Sequence, residues 1–226
     1  MGKFKQFKTY IRKKLGMTGV AEFVDDAIEA NTDTNWNKWF SNPKYLKEYD
    51  TENRINSYNE IISIFEKFGV FDGVTSLLDA GCGTGQLIVA LSKRFSNIKL
   101  YGTDFSEEGL RVSKKAAPSA EFYKLDLYNL PDNYSKYDVV ICSEVLEHLL
   151  YPDKALDNLK QMVSEGGKLL LTVPNGRIDR YGGHINFWSP ESWKVFVENQ
   201  CSSFGIVTTG VFHNNLNNYA IIASNQ

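Results

Sequence analysis

Short apolar runs alternate with segments of helical periodicity from residue 76 onward. Such an alternation predicts an α/β domain, with a doubly wound, mostly parallel sheet that carries helices on both faces. The predicted strands are residues 76–80, 99–103, 121–125, 137–142 and 168–173, and the predicted helices are residues 86–95, 107–116, 145–149, 153–164 and 190–199. Two further strand-like runs, 205–212 and 219–224, flank an Asn-rich turn and predict a final antiparallel hairpin.

The first 50 residues precede this alternation and are predicted to form a helical extension. Phe4, Phe7, Ile11 and Leu15 recur at helical spacing with lysines between them, which predicts a basic amphipathic helix over residues 3–15. Such a helix either contacts an anionic membrane surface or a partner, or packs on its own domain. Residues 22–50 are rich in aromatic side chains, which either line a substrate pocket or pack against the sheet. A further helix is predicted at residues 52–68.

Composition narrows the classes of protein. The chain has 226 residues, a length that suits one soluble α/β domain. Its net charge is −2, and the part outside the basic N-terminal segment is acidic, which makes nucleic acid an unlikely partner. The three cysteines lack metal-type spacing and indicate no disulfide framework. The absence of a long apolar stretch and of a signal-peptide core predicts a cytoplasmic protein, with peripheral membrane contact through residues 3–15 as the alternative. The oligomeric state is left open.

A glycine-rich turn lies between the first predicted strand and its helix, in the stretch Asp79-Ala80-Gly81-Cys82-Gly83-Thr84-Gly85. Glycines allow positive φ and leave no Cβ in the way of a ligand, which backbone amides near the helix start then contact. Gln86 stands where a dinucleotide fingerprint requires its third glycine, and no Gly-Lys-Ser/Thr follows as in a P-loop. The turn therefore indicates a nucleotide-like ligand other than NAD, FAD or a nucleoside triphosphate.

Carboxylates end the next two strands. Asp104 lies 23 residues after Gly81, where an acidic side chain suits ribose hydroxyls. The alternative is that Asp104 or Ser106 only caps the helix that begins at Glu107. Asp126 ends the third strand at the same edge of the sheet, which is where doubly wound folds bind ligands.

Five motifs in this order resemble those of class I S-adenosylmethionine (SAM)-dependent methyltransferases: DAGCGTG, YGTDFS, KLDLYNLP, YDVVICSEVLEHL and GGKLLLTVPN. The resemblance implies a Rossmann-like methyltransferase domain at residues 51–226, with residues 1–50 as a helical extension that caps the substrate side. It implies SAM as cofactor. By this resemblance, the methionine part of SAM would be contacted by Asp79, Gly81, Gly83 and Gly85. The ribose would be bound by Asp104, and the adenine would lie near Asp126 and Leu127. Cys82 and Phe105 belong to the same implied cofactor-binding set.

A carboxylate–histidine cluster is predicted after the fourth strand. Glu144, Glu147 and His148 are spaced i, i+3 and i+4, so a helix would place them on one face, and His184 is a candidate fourth ligand. Such a set suits Mg²⁺, Mn²⁺ or Zn²⁺. The alternative is that the glutamates only complement the start of a helix. The combination of E-x-x-E-H with a later histidine resembles two metal-using groups, the small-RNA 3′-terminal 2′-O-methyltransferases and the ubiquinone-biosynthesis O-methyltransferases.

These observations predict methylation of a hydroxyl on a small molecule or glycan precursor. A cation would orient the hydroxyl; without one, His148 or His184 would be the general base, with Glu144 beside them. A quinol-type acceptor is the second prediction and an RNA 2′-hydroxyl ranks lower, because the body of the chain is acidic. N- or C-methylation and a non-catalytic SAM-binding regulatory role remain open. The acceptor walls are expected in residues 31–50 and 176–189.

Overall fold

The computed structural model describes residues 26–49 and 51–224, and its strands form one seven-stranded sheet. The order is β3-β2-β1-β4-β5-β7-β6, in which β7 runs antiparallel to both of its neighbours. The strands are β1 Ser76–Ala80, β2 Lys99–Asp104, β3 Glu121–Lys124, β4 Tyr137–Ser143, β5 Val163–Pro174, β6 Gly205–Phe212 and β7 Asn217–Ala223. The predicted α/β class, the mostly parallel sheet and the C-terminal hairpin are confirmed.

The helices of the described residues follow the predicted periodicity closely. They are α1 Asp33–Ser41, α2 Pro43–Tyr49, α3 Glu52–Lys67, α4 Gln86–Arg94, α5 Glu107–Ala116, α6 Pro152–Gln161 and α7 Pro190–Gln200. Side chains of Thr51, Ser106 and Ser189 accept the N-terminal backbone hydrogen bonds of α3, α5 and α7, as N-cap residues do. None of the described helices combines the length and the apolar character that a bilayer crossing requires.

The sheet separates two apolar layers because successive strand residues face opposite sides. In β1, Leu77 is buried with Ile61 and Ile88, on the side of α3 and α4. Its neighbour Leu78 is buried in the other layer, which includes Leu156 of α6 and Trp193 of α7. Both faces of the sheet are thus covered, and its carboxyl edge is left to hold a site.

Helix α1 is anchored to the sheet domain by Asn37. Its side-chain oxygen accepts hydrogen bonds from Ser106 Oγ at 2.7 Å and from the Glu108 amide at 3.1 Å, at the start of α5. This contact places the aromatic residues of α1 over the glycine turn. The predicted amphipathic helix over residues 3–15 lies outside the described residues, and the division between residues 1–50 and 51–226 remains a prediction.

The predicted helix at residues 145–149 is wrong. The segment is a short 3₁₀ turn, Leu146–His148, and Glu144 precedes it with φ 57°. The Glu144 amide still donates to the Thr172 carbonyl of β5 at 3.0 Å, so the chain leaves the sheet abruptly through a left-handed residue rather than through a helix start. Glu144 and Glu147 therefore do not share a helical face.

Candidate functional site

A cavity of about 930 Å³ opens at the carboxyl edge of the sheet, which is a volume that suits a cofactor and a small acceptor together. Its walls come from the glycine turn, the segments after β2, β3, β4 and β5, and helices α1 and α3. Seven of the nine predicted cofactor-binding residues line it: Gly81, Cys82, Gly83, Asp104, Phe105, Asp126 and Leu127. Asp79 and Gly85 do not line it, although they belong to the same strand and turn.

The turn after β1 needs its glycines for both conformation and space. Gly81 and Gly85 have φ of 81° and 83°, which side chains rarely adopt. A Cβ on Gly81 would lie 2.5 Å from Val145 Cγ2, and one on Gly85 would lie 2.7 Å from Ser113 Cβ. Backbone atoms therefore form this wall of the cavity, as a closely approaching ligand requires.

Asp104 orients the glycine turn. Its carboxylate accepts hydrogen bonds from the amides of Gly83 and Ser106, each at 2.8 Å. Burial raises the pKa of Asp104 to about 6, against the lowering effect of these donors. The cap of α5 is Ser106, whose Oγ accepts from the Gly109 amide. Capping is thus done by Ser106, and Asp104 remains available for the ribose role.

Asp79 lies behind the turn and is 2% exposed. Burial, with the charge of Asp104 as a second cause, raises the pKa of Asp79 to about 8. A cationic ligand in the cavity would favour the ionised form of this carboxylate. SAM carries positive charge on its sulfonium and ammonium groups, so the site suits it.

The segment after β3 contributes Asp126 and Leu127. Asp126 accepts from the Tyr128 amide at 2.9 Å and from Asn129 Nδ2 at 2.7 Å, which closes a tight turn. Leu127 is buried at the cavity wall. The turn thereby presents an apolar side chain, as the predicted adenine contact needs.

Three of the four predicted metal ligands converge. One ligand atom each from Glu147, His148 and His184 lies within 4.8 Å of the others. Glu147 Oε1 is 3.8 Å from His148 Nε2 and 3.9 Å from His184 Nε2. Glu147 is 1% exposed, and neither of its carboxylate oxygens has a hydrogen-bond partner in the described part of the chain. A buried carboxylate without partners is costly, and a divalent cation between these groups would satisfy it.

Neighbouring groups hold both imidazoles in this orientation. The carboxylate of Asp179 contacts His184 Nδ1, and the Gly183 carbonyl lies 3.4 Å from His148 Nδ1. In both histidines Nδ1 is engaged by the neighbouring group, and Nε2 faces Glu147. Histidines that bind metals are commonly oriented in this way by a carboxylate or a carbonyl on the other ring nitrogen. The Glu147 carbonyl accepts from the amides of Ile185 and Asn186 at 2.8 and 3.0 Å, so the loop that carries His184 is fixed on the 3₁₀ turn.

The protonation states fit a cation site. Burial, followed by the charge of Glu144, raises the pKa of Glu147 well above its usual value. Burial and the neighbouring His184 lower the pKa of His148 to about 3, so its imidazole is neutral. Neutral imidazole is the form that binds metals, and a cation would favour the ionised form of Glu147.

Glu144 departs from the predicted ligand set. Its carboxylate accepts from Thr172 Oγ1 at 2.9 Å and from Asn217 Nδ2 at 2.8 Å. Because these contacts fix it on β5 and β7, it lies outside the converging group of three. Glu144 lines the cavity, and removal from bulk water raises its pKa to about 7.

The aromatic extension reaches the histidines. The rings of Trp36 and His148 meet edge to face at 5.1 Å, and the Tyr181 and His184 rings lie 4.8 Å apart. Trp36, Trp39, Phe40 and Tyr49 all line the cavity. The expected walls in residues 31–50 and 176–189 therefore do border the site, and the pocket interpretation of the aromatic segment is the one that the geometry favours.

Arg54 and His213 are among the cavity residues that the sequence analysis missed. Arg54 on α3 lines the cavity with its guanidinium 4.8 Å from the Tyr49 ring centroid. His213, in the turn between β6 and β7, lines it as well. Arg54 fits the polar face of an amphipathic helix, and His213 follows a strand in a turn-forming sequence. Neither position therefore carries a signal until the elements are assembled.

Comparisons with known proteins identify relatives among methyltransferases. Residues 78–169 match a family model described as a methyltransferase domain. A ubiquinone biosynthesis O-methyltransferase of Coxiella burnetii is 30% identical over 109 residues, which are 46% of each chain. One from Dechloromonas aromatica is 27% identical over 143 residues, covering 61% of this chain and 57% of that protein. The chain thus spans about half the length of the curated relatives it matches.

Solved structures share the fold. The plantazolicin methyltransferase BpumL in complex with S-adenosyl-L-homocysteine (SAH) has a TM-score of 0.68 at 16% identity, over 91% of this chain and 100% of that one. The N-methyltransferase NodS from Bradyrhizobium japonicum WM9, also with SAH, has a TM-score of 0.68 at 16% identity, over 87% and 100%. With the strand order and the glycine turn, these findings show that the chain has the fold of these methyltransferases and that its residues 78–169 match the methyltransferase-domain model.

Proposed function

We propose that the chain is a SAM-dependent O-methyltransferase that methylates a hydroxyl of a small-molecule or sugar-containing acceptor with the help of a divalent cation. The observation that supports it is the buried Glu147 carboxylate, which faces two histidine Nε2 atoms at the wall of the cofactor cavity. Glu147, His148 and His184 would hold the ion. A hard or borderline cation there would lower the pKa of an acceptor hydroxyl and orient it.

The glycine turn and Asp104 would seat the cofactor, with the ribose hydroxyls on the Asp104 carboxylate and the adenine near Leu127. The Arg54 guanidinium is a cation at the same cavity and suits the carboxylate of the methionine part. When bound, SAM supplies a methyl group on a sulfonium. The glycine turn and Asp104 would hold the nucleoside in the same cavity that His148 and His184 line.

Alignment is the main task of the protein in this reaction, and it contributes about 7–11 kcal/mol in the best cases. Trp36 and Tyr181 flank the two histidines and would exclude water beside the acceptor hydroxyl. Without a cation, His148 or His184 would have to be the general base. Burial lowers the pKa of His148 to about 3, which makes its imidazole a weak proton acceptor and favours the cation-assisted reaction.

A quinol-type acceptor is the second candidate. The curated relatives from Coxiella burnetii and Dechloromonas aromatica are named ubiquinone biosynthesis O-methyltransferases. Leu150, Ile178 and Leu216 line the cavity and are 42%, 48% and 44% exposed, which gives it an apolar rim. Such a rim would fit the apolar tail of a quinol.

The test measures methyl transfer from labelled SAM to a panel of sugars, catechols and quinols, before and after exhaustive chelation. We expect activity to fall at least about tenfold on chelation, to return with one of Mg²⁺, Mn²⁺ or Zn²⁺, and to be lost in Glu147→Gln. The matched control is Glu191→Gln, at a glutamate on the surface that pairs with Arg177. Full activity of the chelated protein and of Glu147→Gln would contradict the cation role, and transfer to nitrogen or carbon alone would contradict O-methylation.

A further inference from the structure

The turn between β6 and β7 has an unusual backbone. His213, Asn214 and Asn215 have φ of 52°, 55° and 65°, so three successive residues with side chains are left-handed. Asparagine tolerates this conformation, whereas histidine does so less readily. Strain of this kind persists where the surroundings enforce it, and it concentrates at functional sites.

Distant parts of the chain enforce the turn. Asn175, just after β5, donates from its side chain to the Asn215 carbonyl at 2.9 Å and from its amide to the Leu216 carbonyl at 2.8 Å. Glu60 of α3 accepts from the His213 amide at 3.0 Å. The turn is thus clamped between α3 and the end of β5, and its position over the cavity is fixed.

The clamp places an imidazole at the cavity wall. His213 lines the cavity with its side chain 11% exposed, and its Nδ1 lies 3.9 Å from the second oxygen of Glu60. This contact is too long for a hydrogen bond, but a carboxylate on that side favours a proton on Nδ1 of the neutral imidazole, and Nε2 is then the atom that can accept one. The next strand begins with Asn217, whose side-chain amide donates to the Glu144 carboxylate. The same hairpin therefore also contacts Glu144 at the cavity wall.

One strip of the adjoining wall is polar, beside the apolar side chains of Ile61 and Leu216. Asn53 and Ser57, one helical turn apart on α3, both line the cavity, and Glu60 continues this face to His213. A wall of this kind suits a ligand with several hydroxyls more than the flat apolar ring of a quinol.

We infer that His213 is a specificity-determining residue that accepts, through Nε2, a hydrogen bond from a second hydroxyl of a polyhydroxylated acceptor, apart from the hydroxyl that is methylated. This inference rests on the proposed O-methylation and deepens it. It selects sugar-type acceptors over quinols, and it assigns Glu60 as the residue that positions the imidazole.

The experiment compares His213→Gln with His213→Asn. The amide of glutamine reaches the place of Nε2, whereas that of asparagine reaches only Nδ1; asparagine in turn tolerates the left-handed backbone better. If Nε2 accepts a hydrogen bond from the acceptor, the glutamine variant should have the lower KM for the sugar. If the role of His213 is purely structural, the asparagine variant should have the lower KM. Thermal melting of both variants measures independently which substitution destabilises the fold more.

The assay uses labelled SAM with methyl hexopyranosides, their monodeoxy analogues and 3,4-dihydroxybenzoate. We expect the KM for a sugar to rise about tenfold in His213→Asn and less than about threefold in His213→Gln, with kcat and SAH affinity little changed. The effect should vanish for one monodeoxy sugar. Equal KM values in all three proteins, or a better asparagine than glutamine variant, overturn the inference. Transfer to the catechol alone overturns it too while leaving O-methylation in place, whereas no transfer to any acceptor contradicts the proposed function itself.

Discussion

The side-chain amide of Asn31 donates a hydrogen bond to the Gly183 carbonyl at 2.7 Å, across 152 positions of sequence. The same carbonyl lies 3.4 Å from His148 Nδ1, and the residue after it is His184. The N-terminal extension is thereby connected to the loop that carries His184, one of the three candidate cation ligands. The extension thus belongs to the functional unit of the chain.

Removing this connection should loosen the site. In Asn31→Ala we expect the affinity for the divalent cation to fall several-fold, because the loop at Gly183 loses a part-buried hydrogen bond. Isothermal titration with Zn²⁺ and Mn²⁺ measures it. Asn35→Ala is the matched control, since the Asn35 side chain donates to the Glu29 carbonyl within the extension itself. Equal cation affinity of the two variants and the parent protein would contradict this coupling.

Asp179 should act through His184. Its carboxylate contacts His184 Nδ1 and is 10% exposed, so Asp179→Asn weakens the hold on the ring without removing a ligand. Loss of such an outer group lowers cation affinity about 10- to 100-fold, and we expect that range. Asp157→Asn, at an exposed aspartate paired with Lys160, is the control. An unchanged cation affinity in Asp179→Asn would show that the contact has no role in the site.

The glycine turn should not tolerate a methyl group. In Gly81→Ala the new Cβ meets Val145 Cγ2 at 2.5 Å, and the residue must keep φ near 81°. We expect a loss of about 1–3 kcal/mol in the free energy of unfolding and at least about tenfold weaker SAH binding. Gly182→Ala provides the comparison, because no atom lies within 4 Å of its added Cβ. Parent-like SAH affinity in Gly81→Ala would mean that the turn is not the cofactor cradle.

Asp138 should make the stability of the sheet depend on pH. Its Oδ2 accepts from the Thr75 amide and hydroxyl at 2.8 Å and from the Ser76 amide at 3.0 Å, joining β4 to the start of β1. Burial acts to raise its pKa, but these hydrogen bonds outweigh it and the pKa is lowered. The ionised group thus stabilises the fold above its unfolded pKa of about 3.9, and this contribution is lost as the pH falls through the folded value.

Asp138→Asn should therefore cost about 1–2 kcal/mol at neutral pH and less in acid. Denaturant unfolding of both proteins between neutral pH and about pH 3 measures the difference. Asp132→Asn in the exposed segment before β4 is the control. A difference that stays constant over this range would show that the charge of Asp138 is not what stabilises the junction.

Much of the fold was predictable because its signals are local. Strand periodicity, the turn from Gly81 to Gly85 and the carboxylates that end β2 and β3 all lie within short stretches of sequence. The 3₁₀ turn was not predictable, because it follows a left-handed Glu144 whose amide pairs with Thr172 of β5, a contact distant in sequence. The contact between Asp179 and His184, and the arrival of Arg54 and His213 at one cavity, depend on packing between elements that no local pattern encodes.

The binding of SAH tests the central claim most directly. Isothermal titration of the protein with SAH should show one site per chain with a Kd in about the micromolar range, and Asp104→Ala should weaken it at least about tenfold. Lys99→Ala is the control, because Lys99 lies in the same strand with an exposed side chain that contacts Glu121 and the Tyr101 ring. Absence of binding by the unaltered protein at about millimolar SAH would contradict the account, and with it the assignment of the cation and of the acceptor.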